Sequence, residues 1–116
     1  MSDKIKTGNK GEELAANFLV AKGYTILARN NRYNHAEIDL IAQKDKWLIF
    51  VEVKTRHSVA FGEPESFVSN KKAAKVIEGA EQFVFEQQWD GPIRFDIVSV
   101  KIGKEVVIEH FEDAFY

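Results

Sequence analysis

The sequence predicts an α/β domain with a central mixed sheet flanked by helices, in the order α-β-β-β-α-β-β. Three observations predict it. Two segments carry apolar residues at helical spacing, five others read as short strands, and Gly, Pro or polar clusters punctuate them with no linker or internal repeat.

Taken in order, Leu14, Ala15, Phe18 and Leu19 predict a helix over 10–22, stopped by Gly23. Lys22 sits in its last turn, where a cation suits the helix dipole. A strand is predicted from Tyr24 to about Arg32, with Tyr24, Ile26 and Ala28 alternating against Thr25, Leu27 and Arg29. Glu37 to Ala42 is a short apolar strand, Gln43-Lys44-Asp45-Lys46 a turn, and Trp47 to Thr55 a further strand. Residues 56–68, with Gly62 and Pro64, form the one substantial loop. A second helix over 69–88 carries Ala73, Val76, Ile77, Ala80, Phe83 and Val84 on one stripe, with Ser69 or Asn70 as its cap. Gly91-Pro92 precedes two last strands, 93–101 and 105–111, joined near Gly103.

At 116 residues and 45% hydrophobic, the chain suits one domain, 1–116, with a single core. It has no cysteine, which excludes a disulfide framework, a thiolate zinc site and a cysteine nucleophile. The start Met-Ser-Asp-Lys-Ile-Lys lacks the apolar run of a signal peptide, and no stretch reaches the ~20 apolar residues of a membrane span. These features read as soluble and cytoplasmic, with no membrane partner. The net charge of −2 speaks against a strongly basic nucleic-acid binder, yet it is unevenly spread. Residues 1–34 and 54–76 each carry +3 and the last twelve residues carry −4, so a basic surface with an acidic back is one reading and plain solubilising charge the other.

The chemistry is concentrated in one hairpin. Strand alternation puts Leu48, Phe50, Glu52 and Lys54 on one face, and Glu37 and Asp39 on one face of the preceding strand. If Gln43 closes the turn opposite Lys46, Asp39 lies diagonal to Glu52; a slip of two residues puts them directly opposite. Either register leaves both acids on one face within roughly 5–8 Å. Two carboxylates, a main-chain carbonyl at Val53 and an amine suit phosphodiester hydrolysis. Asp39 and Glu52 would share a Mg²⁺ or Mn²⁺ ion, and Lys54 would orient the attacking water or meet charge developing on the phosphate. The duller reading is a cross-strand ion pair on a solvated face. Against it, Leu40, Ile41, Ile49, Val51 and Val53 mark buried-looking strands, where three charges need a reason.

Asp39 followed by Glu52-Val53-Lys54 across a hairpin resembles the PD-(D/E)XK nuclease signature. More narrowly, the chain resembles the YraN family of small bacterial proteins related to archaeal Holliday-junction resolvases. The similar stretches run nearly end to end: Gly11-Glu12, Gly23-Tyr24, Glu37-Ile38-Asp39-Leu40-Ile41-Ala42, Phe50-Val51-Glu52-Val53-Lys54, Arg56, Phe61-Gly62, Arg94-Phe95-Asp96 and Ala114-Phe115. Ala36 departs from the family, which usually has glycine there. The resemblance implies a restriction-endonuclease-like fold and a nucleic-acid substrate, with Glu12 as the helix carboxylate that joins the metal site.

Around this centre each residue has two readings. Glu12 flanks the apolar stripe, but Asn9-x-x-Glu12 is also a capping box that would occupy it structurally. Glu37 is a supporting acid or a strand-edge charge. Lys71, Lys72 and Lys75 meet phosphates at a helix N-terminus or form a solvated face, and Arg56 meets backbone phosphate or solvent. Arg94 and Asp96 share a strand face, as a structural ion pair first and a peripheral support of the site second. Trp47 and Trp89 read as packing residues. The functional expectation is an endonuclease acting on structured or branched DNA. A nucleic-acid-binding module without chemistry and a protein-interaction domain are its rivals. Symmetric cutting of two strands would call for a homodimer.

Overall fold

The computed structural model describes residues 3–33, 36–57 and 70–115, with residues 3–9 and 70 by backbone alone. Its elements are α1 (Asp3–Ala21), β1 (Thr25–Tyr33), β2 (Ala36–Lys44), β3 (Trp47–His57), α2 (Asn70–Gln87), β4 (Ile93–Ile102) and β5 (Val106–Phe111). This is the expected α-β-β-β-α-β-β order. The strands form one five-stranded sheet in sequence order, β1-β2-β3-β4-β5. All neighbours are antiparallel except β3 and β4, which run parallel across the α2 crossover, so the sheet is mixed.

The two helices cover opposite faces. Ala15, Ala16 and Leu19 of α1 pack on Leu40, Ala42, Ile49, Val51, Val98 and Val100. Ala73, Val76, Ala80 and Phe83 of α2 pack on Ile38, Ile41, Leu48, Phe50, Ile97 and Phe115. The central strand β3 is therefore buried on both sides, which is why it reads as a nearly continuous apolar run until Glu52. The tryptophans pack as expected: Trp47 lies against the α1-side core, and Trp89 lies against the α2-side core and donates to the Pro92 carbonyl at 3.2 Å.

Several boundaries differ from expectation, each for a local reason. α1 starts at Asp3 rather than near residue 10, so Asn9 and Glu12 are both helix interior. The capping-box reading of Glu12 falls with it, because an N-cap serves only the orphan N–H groups of the first turn. At the other end α1 stops at Ala21, so Lys22 lies just past the helix and its last turn carries no basic residue, while Gly23 is the stop expected. Gly23, at φ 95°, sends its N–H to Val20, and Tyr24 sends its own to Leu19, which closes the helix in a Schellman turn. α2 ends the same way on Gln88 (φ 53°), where Gln88 and Trp89 bond Phe85 and Val84. The β2–β3 hairpin closes on Lys44 opposite Trp47, leaving Asp45-Lys46 as the turn, with Asp45 at φ 55°. This is the two-residue slip, not the Gln43–Lys46 closure. β3 runs on to His57 through Arg56, and the loop expected beyond it, with Ser69 as a cap, lies outside the described residues. No described helix is long and apolar enough to cross a membrane.

Candidate functional site

The hairpin register decides where the acids fall. With Leu40 opposite Val51, the next pair outward is Asp39 and Glu52. That next pair does not form. Asp39 is in neither of the ladders that flank β2, which pass from Ile38 to Leu40 on the β1 side and stop at Leu40 on the β3 side. Strict alternation also breaks there, since Ile38 joins the α2-side core while Leu40, two residues on, joins the α1-side core. The Asp39 side chain fills the gap: its Oδ2 accepts the Val53 N–H at 2.8 Å, doing for β3 what a backbone carbonyl of β2 would otherwise do. β2 and β3 thus part at this point, and the acids line the seam. In an extended strand a residue's N–H and C=O point the same way, so the Val53 carbonyl also faces the seam.

The Asp39 and Glu52 carboxyls come within hydrogen-bonding reach of each other. Burial first, and then the charge and carboxyl of Glu52, push Asp39 up to about 8 against the lowering effect of the Val53 N–H. Glu52 is only 4% exposed. Its Oε2 pairs with the Lys72 ammonium at 2.9 Å, while its Oε1 is buried with no hydrogen-bond donor. A buried acceptor without a partner is costly, and a shared proton or a cation is what such an oxygen lacks.

Glu12 approaches from α1. Gly11 makes this possible: a Cβ there would lie 2.8 Å from the Thr55 Cβ, so only glycine lets the helix backbone come this close to β3. Asn30, held at φ 50° on β1, hydrogen-bonds the Glu12 side chain. Burial raises the Glu12 carboxyl above its ordinary range against that hydrogen bond, and the nearby charges of Glu37 and Glu52 add to the rise. Glu37 is itself a strand-edge charge paired with Arg32 at 3.2 Å. From α2, burial works against the Lys72 ammonium, but its bond to Glu52 and the charges of Glu52, Asp39 and Glu37 outweigh that and hold its pKa above the usual value.

The structure therefore brings together Asp39 and Glu52, with Glu12, Lys72 and Glu37 in their field. Lys54 is partly exposed on β3, two residues beyond Glu52 and on its face by alternation. Arg56, Lys71 and Lys75 are exposed beyond it, with Arg56 at the outer end of β3 and the lysines on α2. Arg94 and Asp96 are elsewhere. Asp96 is fully buried on the α1 side of β4, where it accepts both Arg94 Nε and Nη2 at 2.8 Å, His110 Nε2 at 2.7 Å and the Asp113 N–H at 3.0 Å. Arg94 also donates to the Tyr24 hydroxyl at 2.9 Å. This is the structural ion pair expected first, and its partners are not those of the seam.

Sequence reasoning missed Asn30 beside Glu12 and His110 in the Asp96 cluster, and it gave Lys72 phosphate or solvent as a partner where the structure gives Glu52. Lys72 precedes Val76 and Ala80 by four and eight residues, so it extends the buried stripe of α2 by one turn; that spacing was the available signal. Asn30 had no signal beyond asparagine's tolerance of positive φ. His110 had none, because its partner Asp96 is adjacent only in space.

A match to an established family of proteins spans residues 11–100, which takes in every residue of the seam. The chain belongs to the uncharacterised protein family UPF0102. UPF0102 protein FP2501 of Flavobacterium psychrophilum is 47% identical over 100% of this chain and 98% of its own length. The UPF0102 protein of Christiangramia forsetii is 41% identical with the same coverage, and UPF0102 protein THEYE_A1950 of Thermodesulfovibrio yellowstonii is 38% identical over 97% of this chain and 98% of its own. The narrower of the two family resemblances in the sequence is thereby borne out.

Among the described residues, no three acidic or histidine side chains converge as a ready-made metal-binding group. The donors that do converge are two facing carboxyls and a main-chain carbonyl. All are hard oxygens, and they fit an ion such as Mg²⁺ that keeps several waters and takes only one or two protein carboxylates.

Proposed function

We propose that this protein hydrolyses phosphodiester bonds in structured or branched DNA, using Mg²⁺ or Mn²⁺ held between Asp39 and Glu52. This is the chemistry of the PD-(D/E)XK nucleases that Asp39 and Glu52-Val53-Lys54 resemble. The observation that carries the reading is the parted seam, where two carboxyls face each other and one buried oxygen, Glu52 Oε1, lacks a donor.

The roles follow from position. Asp39, Glu52 and the Val53 carbonyl would hold the ion. When bound, such an ion polarises a phosphate and lowers the pKa of a coordinated water. Lys54, on the Glu52 face, holds the attacking water or stabilises negative charge developing on the phosphate oxygens. Glu12, kept in place by Asn30, adds negative charge from the α1 side and raises the affinity of the seam for a cation. Arg56, Lys71 and Lys75 are exposed cations that receive backbone phosphates and leave base sequence unread. Two copies of the chain, each with one seam, would cut opposed strands.

The test is a titration of Mn²⁺ and Mg²⁺ against branched, flapped and single-stranded DNA. Metal-dependent cleavage that Glu52→Gln and Lys54→Met abolish while both variants remain folded supports the proposal. Salt-dependent binding without cleavage favours a nucleic-acid-binding module, and neither binding nor cleavage favours a protein-interaction domain.

A further inference from the structure

Lys72 sits where a helix least favours a cation. It belongs to the first turn of α2, which carries no acidic residue, and Lys71 and Lys75 accompany it. Positive charge at a helix N-terminus opposes the macrodipole, so these lysines weaken the helix unless something outside it compensates. For Lys72 that compensation is Glu52 Oε2 at 2.9 Å, with Asp39 and Glu37 adding their fields. The Lys72 side chain is nevertheless 46% exposed, whereas Glu52 is nearly enclosed. The lysine therefore reaches the buried carboxylate from a partly exposed position on α2.

We propose that Lys72 is a resident counter-ion: it neutralises Glu52 while the seam holds no metal, gives up Glu52 when the carboxyls take a divalent cation, and then faces the phosphate of the nucleic acid. The proposal rests on the metal-binding reading above. Its charge logic is simple. Lys72 and a divalent cation are both positive and compete for one carboxylate, so the lysine weakens metal binding. Once displaced from Glu52, the partly exposed ammonium stays beside the site as a cation that a phosphate oxygen can approach.

Two measurements on the full chain test this. The first is Mn²⁺ affinity by electron paramagnetic resonance at mildly alkaline pH, where protons no longer compete for the carboxyls. Lys72→Met is expected to bind Mn²⁺ about tenfold more tightly or better, about 1.4 kcal/mol. Lys72→Arg, which keeps the charge, stays near wild type, as does Lys104→Met, which removes an exposed charge given no part in the site. The second is DNA affinity with Ca²⁺ as a metal probe. Lys72→Met is expected to lose much of the gain in affinity that Ca²⁺ gives the wild type, and to change little in its absence. Unchanged or weaker Mn²⁺ binding in folded Lys72→Met, confirmed with Lys72→Gln, overturns the counter-ion role. Failure of the wild type to bind Mn²⁺ at all overturns the metal site, and the counter-ion with it.

Discussion

Asp39 Oδ2 accepts the backbone N–H of Val53 at 2.8 Å, so a side chain of one strand occupies the ladder position of a main-chain oxygen on its neighbour. Each acid of the pair thereby has one oxygen engaged by the protein. Asp39 is held by β3, and Glu52 is held through Oε2 by Lys72. The second Glu52 oxygen, Oε1, stays buried without a hydrogen-bond donor beside the Asp39 carboxyl.

Confinement of that kind makes stability depend on pH. The folded Asp39 pKa, about 8, lies above its ordinary value of 3.8, so between these values the folded protein binds a proton that the unfolded chain has released. The stability contributed by protonated Asp39 is complete below the ordinary carboxyl range and is lost as pH rises through about 8. Asp39→Asn keeps the acceptor for Val53 and replaces the proton with an amide donor toward Glu52. Urea midpoints at about pH 5 and about pH 9 are expected to fall for the wild type relative to the variant, with the variant the more stable by about 1–3 kcal/mol at the higher pH. A difference that stays constant with pH contradicts this account.

Asp96 behaves in the opposite sense. Burial alone would raise its pKa, but the hydrogen bonds from His110, Arg94 and the Asp113 N–H outweigh burial and hold it below the ordinary value. Its stabilisation is present above the unfolded-state pKa and is lost as pH falls through the lower folded value. Asp96→Asn leaves Arg94 and His110 short of their anion, so a loss of about 3–5 kcal/mol at neutral pH is expected, shrinking in acid. Because this cluster does not share the partners of the seam, Mn²⁺ affinity of the folded variant is expected to match wild type. Weakened Mn²⁺ binding would instead give Arg94 and Asp96 the supporting role that the sequence left open.

Gly11 offers a test in which two effects have opposite signs. Helix propensity alone says that Gly11→Ala stabilises α1 by up to about 1 kcal/mol. The close approach to Thr55 says that it overpacks, and because the Thr55 Cβ itself would be 2.8 Å away, no change of rotamer relieves the clash. Overpacking wins, with a net loss of about 1–3 kcal/mol in thermal or urea unfolding. Glu12 also shifts away from the seam, so Mn²⁺ affinity is expected to drop. A stabilised variant would mean that α1 does not lie this close to β3.

Most of the fold was legible because apolar spacing reports burial directly. The stripe of Ala73, Val76, Ala80 and Phe83 and the two-sided run Ile49–Val51 are buried where their spacing places them. The start of α1 was not legible, because residues 3–9 carry little apolar periodicity to extend the helix by pattern. The register that brings Asp39 beside Glu52 was readable to within two residues, because a slip of two keeps each side chain on its face. The parting of β2 from β3 was not readable, because it depends on a side chain replacing a backbone partner. Lys72 was assigned to phosphates or solvent for a related reason: the distance from α2 to Glu52 depends on where the crossover helix lands on the sheet.

The most direct test is a crystal of the protein soaked in Mn²⁺ at mildly alkaline pH, with anomalous density measured at the manganese edge. The account predicts one peak between the Asp39 carboxyl and Glu52 Oε1, with the Lys72 ammonium displaced from Oε2. A map with no anomalous density at that seam under saturating Mn²⁺ would contradict it.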